Sequence, residues 1–562
     1  MRLRPFLVLC LVFFVTSPAP AAVRPARGYK NGAVAADHRL ASTVGVALLK
    51  QGGNAVDAVC GTAFALGVVN PTGSGIGGGG FMLILRPRDP TPVVLDFREV
   101  APAAASREMY TRKGAPKHAS RIGGLAVGVP GEVLGCAEAV KRFGKLSLAR
   151  VLAPAIRLAR GGFPVGRHLA RGVREEKKEI ARHPDLARLF LPKGQPIEAR
   201  QKLRRPSLAR SLEAIARKGP RVFYEGWIAK DLVQAVKASG GLLTLEDLKG
   251  YRIKERKPLT TTYRGYTVHT MPPPSSGGVA LIETLNILAL HKPDKLGHNS
   301  SRHLHLLTEA LKHAFADRAR YLGDPDFVKV PVGRLTSARY ARELDKRIGE
   351  HVAPITSYGT PPPAAPSGDR KGTSHISVVD RDGMAVAMTT TVNTVFGSMV
   401  VGKASGIILN NQMDDFAAQP GKPNAFGLIQ GEQNAVAPGK RPLSSMTPTI
   451  VTRDGRPVLV VGASGGPTII TGTLQALSNV LDFHREAAAA VSLPRVHHQW
   501  MPDKLVVERD LPRDVRDALK RRGHRVKVTR HPFTAVQVVV VGEDGRRFGA
   551  SDPRKLGQPA GY

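Results

Sequence analysis

The sequence predicts an α/β protein with an extensive core, and three observations carry that expectation. The chain has 562 residues, 42% of them hydrophobic, enough apolar surface for more than one layer or domain. From Val23 to about Ile348, helical apolar repeats alternate with Gly-rich turns. From Thr373 to Tyr562 the chain is strand-rich, and a connector from about Gly349 to Gly372 separates the two regions. No tandem repeat at a solenoid or propeller period is present.

The amino terminus reads as an export signal. Arg2 and Arg4 supply the positive end, residues 5–15 an apolar run, and Ala19-Pro20-Ala21 the small residues that signal peptidase requires. Residues 1–21 are therefore expected to be removed, with a retained signal-anchor as the alternative. The run is shorter than the roughly 18 apolar residues of a membrane span, and no later stretch reaches that length. The expected destination is the periplasm or the medium, with no transmembrane helix after signal removal.

Without that segment only Cys60 and Cys136 remain, too few for a disulfide scaffold. Whether they pair is not legible in the sequence. The adjacent His497 and His498 lack further ligands at metal-site spacing, so no metal is expected. The formal charge of +37 favours contact with polyanions. Its bearers are scattered through 141–221 and 513–530 among helical repeats, with no nucleic-acid-binding motif, and the 5% aromatic content argues against base stacking. The charge describes a solvated surface and implies no dedicated nucleic-acid binding.

Asn54-Ala55-Val56-Asp57 opens an apolar helix that runs toward Asn70-Pro71-Thr72-Gly73 and the glycines Gly77 to Gly80. No Gly-Lys-Ser/Thr ending follows, and a helix rather than a strand precedes, so neither a phosphate loop nor a dinucleotide turn fits. The glycines are read as close backbone packing.

The connector carries Gly359, Pro361, Pro362, Pro363, Pro366, Gly368 and Gly372. At Thr373 the pattern turns to β: a strand through Val379, a turn over Asp380-Arg381-Asp382-Gly383, and a return strand from Met384 to Val392. A threonine hydroxyl is a poor nucleophile without a base. Were the bond before Thr373 cut, its own α-amine (pKa about 7.7–8.0) would be in reach of the hydroxyl proton. His375, two residues on, is read as structural because that chemistry does not need it.

Several blocks then converge. Thr373-Ser374-His375, Asn410-Asn411-Gln412-Met413-Asp414-Asp415-Phe416, Arg441-Pro442-Leu443-Ser444-Ser445-Met446 and Gly465-Gly466-Pro467 resemble the γ-glutamyltranspeptidases, or glutathione hydrolases. So do Asp96-Phe97-Arg98-Glu99, Gly128-Val129-Pro130-Gly131-Glu132, Ala316-Asp317-Arg318 and the stretches 271–278 and 321–327. The resemblance runs in family order from about Gly32 to Arg554. It implies an N-terminal-nucleophile hydrolase with a four-layer αββα sandwich. It also implies a precursor that cuts itself between Gly372 and Thr373, leaving a large subunit (22–372) and a small one (373–562) associated as a heterodimer.

The resemblance further implies site roles. Thr373 would attack the γ-carbonyl of glutathione or another γ-glutamyl compound, and pass the acyl group to water, an amino acid or a dipeptide. Thr391 would orient the nucleophile, and Gly465 and Gly466 would present oxyanion donors. Arg98, Ser444 and Ser445 would hold the substrate α-carboxylate, and Asp415, Asn393 and Gln412 its α-ammonium. No cofactor is implied. Phe426 stands at the tip of a segment resembling a lid loop (420–431), where many bacterial relatives carry tyrosine, so the hydroxyl directed at Asn393 is missing. Two other readings remain: a cephalosporin or glutaryl acylase of the same superfamily, and a non-catalytic basic surface-binding protein.

Overall fold

A computed structural model describes residues 25–360, 372–529 and 534–562. The expected signal segment (1–21) and residues 361–371 of the connector lie outside the described residues. Two seven-stranded sheets form the centre. One runs, in spatial order, Ala560–Gly561, Ala33–Ala36, Gly372–Val379, Ala385–Asn393, Gly79–Leu85, Val93–Phe97 and Lys254–Arg256. The other runs Gly28–Tyr29, Arg547–Ser551, Ala535–Val541, Arg456–Ser464, Thr449–Arg453, Tyr266–Thr270 and Leu259–Tyr263. Neighbouring strands are antiparallel throughout both.

Side-chain alternation builds the layers. Ile376, Val378, Val386 and Met388 face one way, into a core shared with helices Arg39–Lys50, Ala55–Val69, Leu148–Gly161 and Pro206–Lys218. Val379, Ala385, Ala387, Phe81 and Leu83 face the other way, toward the second sheet, whose Val460 and Val539 lie on the facing side while Val461 and Val538 point to the helices. Helices Gly277–Leu288, Ser301–Tyr321 and Thr468–Leu481 cover that sheet's far side. The result is the expected αββα sandwich. Both sheets take strands from both sides of the Gly372–Thr373 bond, so separating the halves would open both cores to water.

The hairpin forms as expected. Asp380 closes its turn, accepting from the amides of Asp382 (2.9 Å) and Met384 (3.0 Å), and its other oxygen takes the Ala55 amide at 2.9 Å. Helix Ala55–Val69 is buried along its whole length, and its one acid is satisfied: Asp57 accepts from Asn54, Lys145 and Leu146 amides. The glycine run packs backbone against backbone. A Cβ on Gly78 would lie 1.9 Å from the Thr391 carbonyl, and one on Gly80 2.1 Å from that of Thr389. Gly79 and Gly80 open a buried strand beside the hairpin, which the turn-like composition concealed.

Candidate active site

Thr373 sits where the hairpin register shifts, with Gly372 opposite Asn393 but Ser374 opposite Thr390. Thr391 and Val392 of the return strand there oppose Thr373 alone, a bulge of the kind found beside active sites. Its hydroxyl donates to the Gly372 carbonyl at 2.7 Å and lies 3.1 Å from the Thr391 hydroxyl. Thr391 also donates to the Gly372 carbonyl, at 2.6 Å, and accepts the Asn393 amide at 2.8 Å. Both threonines are buried, 4% and 3% exposed, so water does not compete for these bonds.

One pocket joins Thr373 and Thr391 to Arg98, Asn393, Gln412, Asp415, Phe426, Ser444, Ser445 and Gly466. Leu428, Met446 and Ile469 complete its walls and were not assigned a site role, because an apolar side chain offers no chemistry that marks it as lining. Gly465 lies beside the pocket. Gly465 and Gly466 follow the strand Arg456–Ser464 at φ 136° and 61°, and among the described residues neither amide has a hydrogen-bond acceptor. Free amides held this way are suited to an oxyanion, each donor being worth about 3–4 kcal/mol in comparable sites.

Charge is concentrated at the opposite end. Arg98 donates to Asp415 at 2.5 Å, and Gln412 Nε2 donates to the same oxygen at 2.6 Å. The cation and the anion expected to clamp the two ends of an amino acid thus pair with each other in this structure. Beneath them Glu99, 3.7 Å from Arg98, is fully buried, and burial pushes its carboxyl up to about 7. Asp96 anchors the floor, accepting from Arg256 at 2.7 Å and from the Arg98 amide at 3.0 Å, with Arg441 at 3.3 Å.

The remaining sequence blocks brace this pocket. Ser276 Oγ donates to the Ser444 carbonyl at 2.7 Å and accepts from the buried Arg318 at 3.0 Å, while Ser444 Oγ accepts the Met446 amide. Asp324 accepts the Arg441 amide at 2.8 Å. Asn410 ties Gly128 to Gly77, and Asn393 is held by the Asn411 carbonyl at 2.9 Å. Asn393 therefore has its anchor without any lid hydroxyl.

The segment that resembles a lid loop contributes Phe426 and Leu428 to the pocket wall. Asp414 accepts the Ala425 amide at 2.9 Å, Asn424 accepts those of Phe426 and Leu428, and Gln499 donates to the Phe426 carbonyl at 3.3 Å. The Phe426 ring packs on Gly466, where a Cβ would lie 2.9 Å from a ring carbon. Backbone bonds and ring packing hold the lid where a tyrosine hydroxyl is absent.

His375 is structural. Its ring bridges Thr389 (2.8 Å) and Ser377 (3.2 Å) between the sheets, and burial drops its pKa to about 3. Cys60 and Cys136 are buried free thiols. His497 is taken up by Thr471 and Gln499, and His498 faces Asp503 at 3.3 Å. Elsewhere His305, Glu309 and His524 converge within 4.8 Å, a grouping the sequence spacing hid. Lys312 already neutralises Glu309 at 2.8 Å, and His305 bonds His524 and the Gly349 carbonyl, both at 2.9 Å. The donors are used in a hydrogen-bonded network instead of facing an open cation site.

Comparison with known proteins identifies the family. Residues 41–562 match the family model described as gamma-glutamyltranspeptidase. The glutathione hydrolase proenzyme of Escherichia coli (strain K12) is 45% identical over 95% of this chain and 92% of its own. That of Pseudomonas aeruginosa is 42% identical over 99% of both. Among solved structures, a cephalosporin acylase from Bacillus halodurans superposes with a TM-score of 0.86 at 31% identity, covering 98% of this chain and 99% of that one. The gamma-glutamyltranspeptidase of Helicobacter pylori gives 0.56 at 35% identity over 61% of this chain and 97% of that one. With matched blocks, sandwich and pocket in place, this chain belongs to the gamma-glutamyltranspeptidase family.

Proposed function

We propose that this enzyme removes γ-glutamyl groups from glutathione and related amides and passes them to water, an amino acid or a dipeptide. The observation that carries this reading is the Arg98–Asp415 pair facing Thr373 across one small pocket. A γ-glutamyl group is an amino acid at one end and an acyl group at the other. Its carboxylate can take Arg98 with Ser444 and Ser445, and its ammonium Asp415 with Asn393 and Gln412. Each buried charge then exchanges one partner for another, so neither is left uncompensated.

In this reading Thr373 Oγ1 attacks the γ-carbonyl carbon and its proton passes to the freed α-amine. The oxyanion rests on the Gly465 and Gly466 amides, and the ammonium then protonates the leaving amine. Water or an amine repeats the sequence against the resulting threonine ester. The same hydroxyl, attacking the Gly372 carbonyl first, would displace the Thr373 nitrogen to leave a Gly372–threonine ester, and water hydrolysing that ester would give subunits 22–372 and 373–562 that remain one heterodimer. Export to the periplasm or medium with loss of residues 1–21 completes the proposal. It is supported by the charge, apolar run and small residues of the amino terminus.

The acylase reading draws on the cephalosporin acylase likeness. Asp415 opposes it, because a glutaryl group brings no ammonium to that carboxylate. The test is turnover of a γ-glutamyl anilide with and without a dipeptide acceptor, together with intact masses. Active protein should give two chains, the smaller beginning at Thr373 and the larger near Ala22. Thr373→Ala should remain one inactive chain. Normal cutting of that variant would assign maturation to an outside protease.

A further inference from the structure

A residue that no motif marks touches the nucleophile. Lys555 Nζ donates to the Thr373 backbone carbonyl at 2.5 Å and to Asp37 at 3.0 Å. The position is built on both sides. Asp37 is fully buried and also accepts from Gln537 at 2.6 Å. Lys555 ends the short turn Pro553–Lys555, which Asp552 caps through the Arg554 amide at 2.9 Å. Asp552 is in turn held by Arg495 at 2.7 Å and by the Val536 amide at 2.9 Å. A long, entropically costly side chain is thus aimed at one carbonyl from a fixed base.

The other charged groups nearby leave this cation as the one set directly against Thr373. Asp552 is matched by Arg495 and Arg554, and on the pocket side Arg98 is matched by Asp415. His38 and His168, beside the lysine, are kept neutral by burial, at about 4 and about 3, and Arg171 lies beyond His168. Asp37 balances Lys555 from the far side, and burial raises its carboxyl.

We propose that Lys555 is a positioning residue for catalysis: it fixes the Thr373 carbonyl and sets a positive charge beside the α-amine, favouring the unprotonated form that serves as base. This rests on Thr373 being the freed nucleophile. Amine and carbonyl share one Cα, so the ammonium stands roughly 5–6 Å from the amine, close enough in a buried site to move its titration by about one unit or more. A cation disfavours a second cation, so the effect is downward.

The experiment uses matured full-length enzyme and kcat/KM for a γ-glutamyl anilide against pH. Lys555→Gln keeps a donor and loses the charge, Lys555→Arg keeps the charge, and Lys555→Met loses both. In the Gln and Met variants the acidic limb should rise by about one pH unit, so that activity near pH 6 falls about tenfold while activity above the limb is retained. The Arg variant should keep the original limb. If Lys555→Met fails to mature, the Gln and Arg pair decides. An unshifted limb in Lys555→Gln, with wild-type enzyme cut and active, overturns the inference and leaves the lysine a packing tie. Wild-type enzyme lacking an amino terminus at Thr373 would instead sink the nucleophile assignment beneath it.

Discussion

The Thr391 hydroxyl donates to the Gly372 carbonyl oxygen at 2.6 Å, on the bond expected to be cut. The register of the hairpin puts it there, since Gly372 faces Asn393 and the ladder shifts before Ser374. Attack by Thr373 Oγ1 on that carbonyl carbon would send negative charge to the oxygen Thr391 holds. Thr391→Ala should therefore mature at least about a hundredfold more slowly, the cost of one oxyanion donor, while Thr391→Ser should mature at near the normal rate. A gel time course of the precursor reads both. Equal rates for Ala and Ser would mean the hydroxyl does not carry the step.

Gly466 serves two surfaces at once, the free amide and the seat of the Phe426 ring. Its φ of 61° is one that side chains adopt with strain, and an added Cβ would meet the ring at 2.9 Å. Gly466→Ala should displace the lid and turn the amide, lowering kcat about a hundredfold while leaving the fold's melting temperature within a few degrees. Phe426→Ala should relieve the clash, so a double variant no worse than Gly466→Ala alone is expected. Strictly additive losses would separate the lid from the oxyanion site.

Acid should destabilise this enzyme from about pH 6.5 downward. His375 has a folded pKa of about 3 against an ordinary value near 6.5, so below 6.5 the unfolded chain binds a proton that the folded chain refuses. Stability is then complete above about 6.5 and declines as pH falls toward 3. His303 and His313, both lowered to about 4 by burial, act in the same direction. His375→Asn should lower the melting temperature at pH 7, because the ring fills space against Gly462, yet flatten its fall between pH 6.5 and 4. The acidic limb of kcat/KM should stay where it was. A shifted limb would give His375 a catalytic role.

What the sequence displayed and what it hid follow from the range of the contacts. The hairpin after Thr373 was legible because strand, Asp-Gly turn and return strand are local patterns. The strand Gly79–Leu85 was not: its first residues are glycines required by a neighbour three hundred positions away, and glycine by itself reads as a turn. Arg98, Asp415 and Ser444 were identifiable inside family blocks, but the pairing of Arg98 with Asp415 was not, since a motif names residues and not their partners. Lys555 was invisible. It is one lysine among 82 basic residues, and only the return of the chain's end to Ala33–Ala36 brings it to Thr373.

Asp415 is the residue proposed to set what the pocket accepts. One of its oxygens is shared between Arg98 and Gln412, and only Arg98 brings charge. In the proposed binding mode a γ-glutamyl substrate would take Arg98 with its carboxylate and return an ammonium to Asp415, so the charges would stay matched. A glutaryl substrate takes Arg98 and returns nothing, leaving a largely buried carboxylate unpaired, which typically costs several kcal/mol. Glutaryl anilides should therefore be at least about a hundredfold poorer in kcat/KM than γ-glutamyl anilides, each 1.36 kcal/mol being tenfold. Asp415→Asn removes the charge that has to be matched while keeping a group able to bond Gln412. It should weaken γ-glutamyl turnover and raise glutaryl turnover, closing the gap from both sides. Because Glu99 still lies 3.7 Å from Arg98, the arginine keeps a buried acid nearby and the variant should fold. Equal rates for the two anilides in the unmodified enzyme would reverse the assignment and make the acylase reading the better one.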